Sequence, residues 1–160
     1  MTALLEILGR PAVAAEREGC FQDVYEEQLG DPSTHHLVAE SDGELVGFCS
    51  LHFRSRLNQT QLEAWIPDLV VAPAARRQGV AQALLEAAVS AARDRHCHQL
   101  TLESGYARRD AHRLYERFGM TDAGKQFGMR LGGGLTSSAA IGTGLGRRGP
   151  TSGQTETPDP

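Results

Sequence analysis

The sequence lacks most of the features that tie a protein to nucleic acid, to a membrane or to disulfides. Its formal net charge is −4 and its pI about 5.8, so it carries no overall positive field to hold polyanions. No window approaches the roughly 20 consecutive apolar residues that span a bilayer. Met1-Thr2-Ala3-Leu4-Leu5-Glu6 has no basic leader region. The three cysteines, Cys20, Cys49 and Cys97, form no CxxC pair, and no histidine cluster has zinc spacing. Regular repeats are missing. The expectation is a cytoplasmic protein with reduced thiols and no metal, acting on small molecules or proteins and not on nucleic acid or a membrane.

What is present suffices for one core. A chain of 160 residues buries enough surface to fold without staples. After Leu131 the composition turns abruptly to Gly, Ser, Thr and Pro, through to Thr157-Pro158-Asp159-Pro160. Such a stretch cannot offset its ordering entropy by burial. The expected division is therefore a folded domain over 1–131 and a disordered tail over 132–160.

Within the domain, apolar residues at helical spacing between Ala3 and Leu29 predict two helices, the second stopped by Gly30-Asp31-Pro32-Ser33. Two β-prone runs, His36–Glu40 and Glu44–Leu51, flank Ser41-Asp42-Gly43, a hairpin signal. Leu62 to Val71 reads as a further strand with Pro67 inside it. Proline cannot donate to a ladder, and Leu69-Val70-Val71 is too apolar for an edge, so a bulge is expected there. Val80, Leu84, Ala88 and Ala91, thickened by Leu85 and Ala92, make one helical stripe running to about His96. Leu100–Glu103 is a short strand, and strand, helix and strand in succession predict a parallel pair. Asp110 is placed to cap a helix carrying Ala111, Leu114, Tyr115 and Phe118, ended by Gly119. Phe127–Leu131 reads as a last strand.

The chemistry concentrates between the Pro67 strand and the long helix. Arg76-Arg77-Gln78-Gly79-Val80-Ala81 places two guanidinium forks and a glycine at a helix N-terminus, where unpaired N–H groups and the helix dipole favour an anion. The Walker pattern and GxGxxG are both missing, which disfavours ATP and dinucleotides. An ordinary soluble turn would show the same residues, so the turn alone leaves the function open.

The flanking motifs narrow it. The turn resembles the R/Q-x-x-G-x-G/A signature that binds the acyl-CoA pyrophosphate in the GNAT superfamily of N-acyltransferases, with Arg76, Gly79 and Ala81 on its fixed positions. Downstream, Ala111-His112-Arg113-Leu114-Tyr115-Glu116-Arg117-Phe118-Gly119-Met120 is similar to that superfamily's A-x-x-F/L-Y-x-x-x-G-F motif. The resemblance runs from about Leu4 to Leu131. It implies an α/β (α+β) fold with a mixed, mostly antiparallel central sheet, flanking helices, and parallel strands four and five that splay apart at a bulge. The superfamily's first strand has no counterpart, which would leave the strand near His36 as an edge that a second copy of the chain could cover in a homodimer.

For function, the resemblance implies acetyl-CoA as cosubstrate. Its pantetheine would lie against the Val71 backbone, with Leu69 or Val70 giving an N–H to the thioester carbonyl. Its pyrophosphate would sit on Arg77, Gln78, Gly79, Val80 and Ala81. Tyr115 stands where the superfamily has its general acid, and Arg108 where an asparagine is common. The acceptor amine needs a base; Asp68 is the first candidate, followed by Glu63 and Glu103. The expected reaction is acetyl transfer to a primary amine of a small molecule by direct attack in a ternary complex. A catalytically degenerate acyl-CoA-binding module, or an enzyme acting on a protein N-terminus or lysine, are the alternatives.

Overall fold

The computed structural model describes residues 18–129. Contacts within the chain separate Met1–Gln126 from Phe127–Pro160, and all the helices and strands named below belong to the first unit. The helix expected before Gly9 and the tail expected over 132–160 lie outside the described residues. The element order is α1 (Glu18–Gly30), β1 (Thr34–Ser41), β2 (Glu44–Arg54), β3 (Glu63–Val71), a 3₁₀ turn (Pro73–Ala75), α2 (Val80–Asp94), β4 (Gln99–Leu102) and α3 (Arg109–Phe118). The strands form one sheet in the order β1-β2-β3-β4. The first two pairs are antiparallel and the last is parallel, as the strand, helix and strand pattern predicts.

The hairpin forms where the turn chemistry requires it. Asp42 (φ 52°) and Gly43 (φ 80°) are both left-handed, the pair of conformations that matches a two-residue turn to the twist of its strands. With Ser41 facing Glu44, every second residue of β2 then turns inward. Cys49, Leu51 and Phe53 pack with Ala64 and Ile66 of β3 against Leu84, Leu85, Ala88 and Ala92 of α2. This is the stripe read from the sequence, and full burial of each large member contributes roughly 1.5–3 kcal/mol.

Gly47 sets how closely α2 approaches the sheet. A Cβ there would lie 3.0 Å from both Leu84 Cδ1 and Val80 Cγ1, so glycine lets the first turn of α2 rest directly on β2. The helix N-terminus is thereby fixed beside the end of β3.

Pro67 makes the bulge. Ser50 faces Asp68 and His52 faces Trp65, so Ile66 and Pro67 together occupy the place opposite Leu51. The β3–β4 ladder runs from Glu63 with Gln99 to Ile66 with Leu102 and goes no further. Pairing stops at the residue before the proline, which has no N–H to continue it. Among the described residues no strand precedes β1, and its one neighbour there is β2.

Two local expectations fail. Asp110 does not cap α3: Arg108 is the N-cap, without a side-chain cap bond, and Asp110 falls in the first turn, where its carboxylate pairs with Arg113. The anticipated last strand is absent over its described part, since 127–129 have no regular structure. Phe127 and Met129 are exposed, so no buried face draws them into a ladder.

Candidate active site

Where β3 and β4 part, a cleft of about 240 Å³ opens, with Asp68, Leu69, Glu103, Ser104, Arg108 and Tyr115 among its lining residues. Each is delivered by a local cause. The bulge turns Asp68 and Leu69 to opposite faces of β3 at its open end. The end of β4 supplies Glu103 and Ser104. α3, closed by the left-handed cap Gly119 (φ 95°), lays Leu114, Tyr115 and Phe118 against the core. Tyr115 thus bridges core and cleft.

Burial raises the Tyr115 phenol above its ordinary range; the nearby Arg108 charge pulls it back, and Cys49 pushes it further up. The hydroxyl is therefore protonated at neutral pH and stands as a donor. Cys49, fully buried, has its thiol pushed up to about 12 by burial and by the Asp68 charge. It packs as an apolar residue and is no nucleophile. Neither Cys49 nor Cys97 is in a disulfide, and no cluster of metal-ligating side chains occurs among the described residues.

The basic turn meets its physical requirements. Arg76, Arg77, Gln78 and Gly79 are exposed, and Val80 and Ala81 half-buried. Arg77 (φ 64°) and Gly79 (φ 86°) are left-handed, and Gly79 is the N-cap of α2, with no side chain bonded across it. Ala83 is the first residue whose N–H reaches back a full turn, donating to the Gly79 carbonyl at 2.9 Å. The N–H groups ahead of it have no carbonyl one turn back and point out of the helix end. Nothing stands within 4 Å of where a Gly79 Cβ would be, so a bulky anion can approach this backbone. The residues present fit a pyrophosphate.

The other residues singled out in the sequence sit differently. Val70 is buried against Phe48, on the face opposite Leu69, so it presents only backbone to a ligand. The Val71 carbonyl accepts a hydrogen bond from Arg76 Nε at 3.4 Å, which a ligand amide would have to replace. Glu63 lies away from the cleft. Its side chain is 1% exposed, and it accepts from Arg54 Nε (3.1 Å), Arg56 Nε (2.6 Å), Gln99 Nε2 (3.2 Å) and Thr101 Oγ1 (2.8 Å). Despite burial, the bonds from Arg54, Thr101 and Arg56 hold its carboxyl down at about 2, and a carboxylate so enclosed and so far from the cleft is not placed to take a proton from a substrate there.

Sequence reasoning missed the Ser104 hydroxyl, held by His112 Nε2 at 3.1 Å, and the polar character of the sheet face that carries Asp68. There His36, Ser50 and Asp68 form one cross-strand row and Thr34, His52 and Trp65 the next. Ser50 Oγ and His52 Nε2 are 3.0 Å apart. Both ring nitrogens of His36 and the Trp65 indole nitrogen are buried without a partner. The i, i+2 spacing of Ser50 and His52 was the available signal, but only strand register brings Asp68 beside them.

The comparisons with known proteins bear on the family and the fold. An aminoalkylphosphonate N-acetyltransferase of Salmonella typhimurium (strain LT2) is 37% identical over 99 residues, covering 62% of this chain and 64% of that protein. A Bacillus subtilis (strain 168) protein assigned as a ribosomal protein bS18-alanine N-acetyltransferase is 31% identical over 100 residues, covering 62% of each. The matches thus span less than two thirds of either relative. A solved structure from Agrobacterium tumefaciens strain C58, described as an acetyltransferase, shares the fold with a TM-score of 0.71 at 22% identity, over 81% of this chain and 90% of that one. The model of the acetyltransferase (GNAT) family matches residues 1–120, and the chain belongs to that family.

Proposed function

We propose that the chain transfers the acetyl group of acetyl-CoA to a primary amine of a small molecule, by direct attack in a ternary complex. The observation that carries this reading is the parting of β3 from β4 at Pro67, which opens a cleft with Asp68 on one wall and Tyr115 on another. The pantetheine arm enters between the strands, the pyrophosphate rests on Arg77, Gln78, Gly79, Val80 and Ala81, and the thioester lies near Leu69.

The amine must reach the thioester carbon as a free base. Asp68 takes its proton, while Leu69 or Val70 gives a backbone N–H to the carbonyl oxygen as charge builds there. As the tetrahedral adduct collapses, Tyr115 donates its proton to the departing sulfur. Burial favours this assignment, because it keeps the phenol protonated until a thiolate forms beside it. Glu103 lines the same cleft and is the second carboxylate able to serve the amine.

The relative named for aminoalkylphosphonates favours a small acceptor carrying an anionic group. The Bacillus relative favours a second reading, in which the acceptor is an N-terminal alanine of a protein. One experiment separates them: purified chain, acetyl-CoA, and in parallel an aminoalkylphosphonate, an aminoglycoside, a polyamine and a peptide beginning with alanine. Thiol release and acetylated product with a small amine are expected. Product with the peptide alone would establish the second reading. CoA binding by calorimetry without turnover on any acceptor would reduce the chain to a binding module.

A further inference from the structure

We propose that His52 is the terminal proton acceptor of this site, reached from Asp68 through the Ser50 hydroxyl. The inference rests on the acetyl-transfer reading and adds to it the route by which the amine proton leaves.

The route follows from the register of two strands. Asp68 lines the cleft, and its cross-strand partner on β2 is Ser50. Directly opposed residues on an antiparallel pair place their Cβ atoms roughly 5 Å apart on one face. Ser50 is 3% exposed, too buried to trade its hydroxyl proton with bulk water, and its Oγ is 3.0 Å from His52 Nε2. With Ser50 donating, Nε2 is the bare nitrogen and the proton of neutral His52 sits on Nδ1. His52 is only half-buried, so its ring can return a proton to solvent. The cleft thus connects to water through a buried hydroxyl and a histidine on the sheet face behind Asp68.

The step balances without a further reactant. The substrate ammonium gives a proton to an Asp68 carboxylate oxygen and becomes the free amine. That proton passes to Ser50 Oγ as the Ser50 O–H proton passes to Nε2. Asp68 is again a carboxylate, Ser50 again a hydroxyl, and His52 is an imidazolium that releases its Nδ1 proton to water. The Nε2–H ring so formed returns to the Nδ1–H form before the next turnover, by taking a proton from water at Nδ1 and passing its Nε2 proton back to water as the Ser50 hydroxyl turns. Without such an exit, the Asp68 carboxyl would have to lose its proton back through a cleft filled by the substrates.

The groups around His52 suit an acceptor. Trp65 and Asp68 face it from β3, Thr34 and His36 from β1, Asp31 from the turn after α1, and Arg54 from its own strand. Burial lowers its pKa below 6.5 most strongly; Asp31 and then Asp68 pull it up, and Arg54 lowers it. The ring is therefore neutral at pH 7, and a proton on it is stabilised by the carboxylate that supplied it.

Two readouts on the full chain test the proposal. Histidine ¹⁵N NMR of the protein without ligands needs no turnover. His52 is expected as the Nδ1–H tautomer, Ser50→Ala to shift that tautomer balance, and Asp68→Asn to move the His52 titration to lower pH. If neither variant affects His52, the relay is overturned, whatever the protein catalyses. The second readout is the pH dependence of kcat/KM with acetyl-CoA and aminomethylphosphonate. His52→Gln is expected to cost about tenfold or more above the His52 pKa and to remove the acid limb that the ring produces. An equal loss at every pH would make His52 a packing residue and overturn the proposal. Absence of turnover in the unmodified chain would count against the acetyl-transfer reading, and the NMR titration would still decide the relay.

Discussion

Glu63 and Asp68 are carboxylates on one strand, and β3 treats them in opposite ways. At Glu63 the strand is paired on both sides, with Arg54 across β2 and Gln99 across β4. Arg54, Arg56, Gln99 and Thr101 all donate to its carboxylate. At Asp68 the β2 partner persists, but β4 has diverged and a cleft stands in its place. Between them lies Pro67. A carboxylate held near 2, with its oxygens already taken by four donors, stays an ion-pair partner at neutrality, whereas one beside an opening can meet a substrate. The closed half of the β3–β4 seam holds the fold, and the open half is where we place the chemistry.

The strongest way to break this contrast is at the open end. Tyr115→Phe removes the donor without disturbing the ring's packing. Turnover should fall about 100-fold or more, while CoA affinity, measured by calorimetry, stays within about twofold. An unchanged rate would remove Tyr115 from the mechanism.

At the closed end the corresponding change should appear in stability. Glu63→Gln leaves Arg54 and Arg56 without their counter-charge. Because both arginines are partly exposed, the cost should be about 2 kcal/mol, below the range for a fully buried pair. The pH dependence gives a sharper test. A carboxyl lowered from 4.5 to about 2 by folding contributes stability that is fully present above 4.5 and lost as pH falls toward 2. Urea midpoints between pH 5 and 2 should drop for the unmodified chain, and that part of the drop should be missing in Glu63→Gln.

Gly47→Ala tests what seats the basic turn. Its new Cβ would press on Val80 and Leu84 at 3.0 Å, so about 1–2 kcal/mol of stability should be lost to overpacking, together with CoA affinity as the N-terminus of α2 shifts. Loss of stability with CoA affinity intact would separate the turn from the helix seat. The smallest expected effect is Arg77→Ala, a few-fold weaker CoA binding that fades as salt is raised, since Arg77 is an exposed cation.

The bulge that opens the seam was legible in the sequence, and the clamp that closes its other half was not. Pro67 announced a bulge because proline lacks an N–H. Asp42-Gly43 announced the hairpin because both residues tolerate left-handed backbone, and Gly119 the end of α3 for the same reason. Those signals are local. The clamp on Glu63 is not: its donors come from the end of β2, the loop after it and β4, and no spacing in the chain brings them together. The same holds for Ser50, His52 and Asp68, which strand register alone aligns. Asp110 misled as a cap because it has the residue type a cap needs but stands inside the first turn of α3. The run from Phe127 misled because alternation marks a strand only where one face is buried.

If a ligand takes the place of strand pairing beyond Pro67, the structure of the acetyl-CoA complex will show it. The pantetheine arm should lie between 67–71 and 102–105, with the pyrophosphate on the N–H groups of Gly79, Val80 and Ala81. A complex in which β3 and β4 close over that gap while CoA binds elsewhere would contradict this placement.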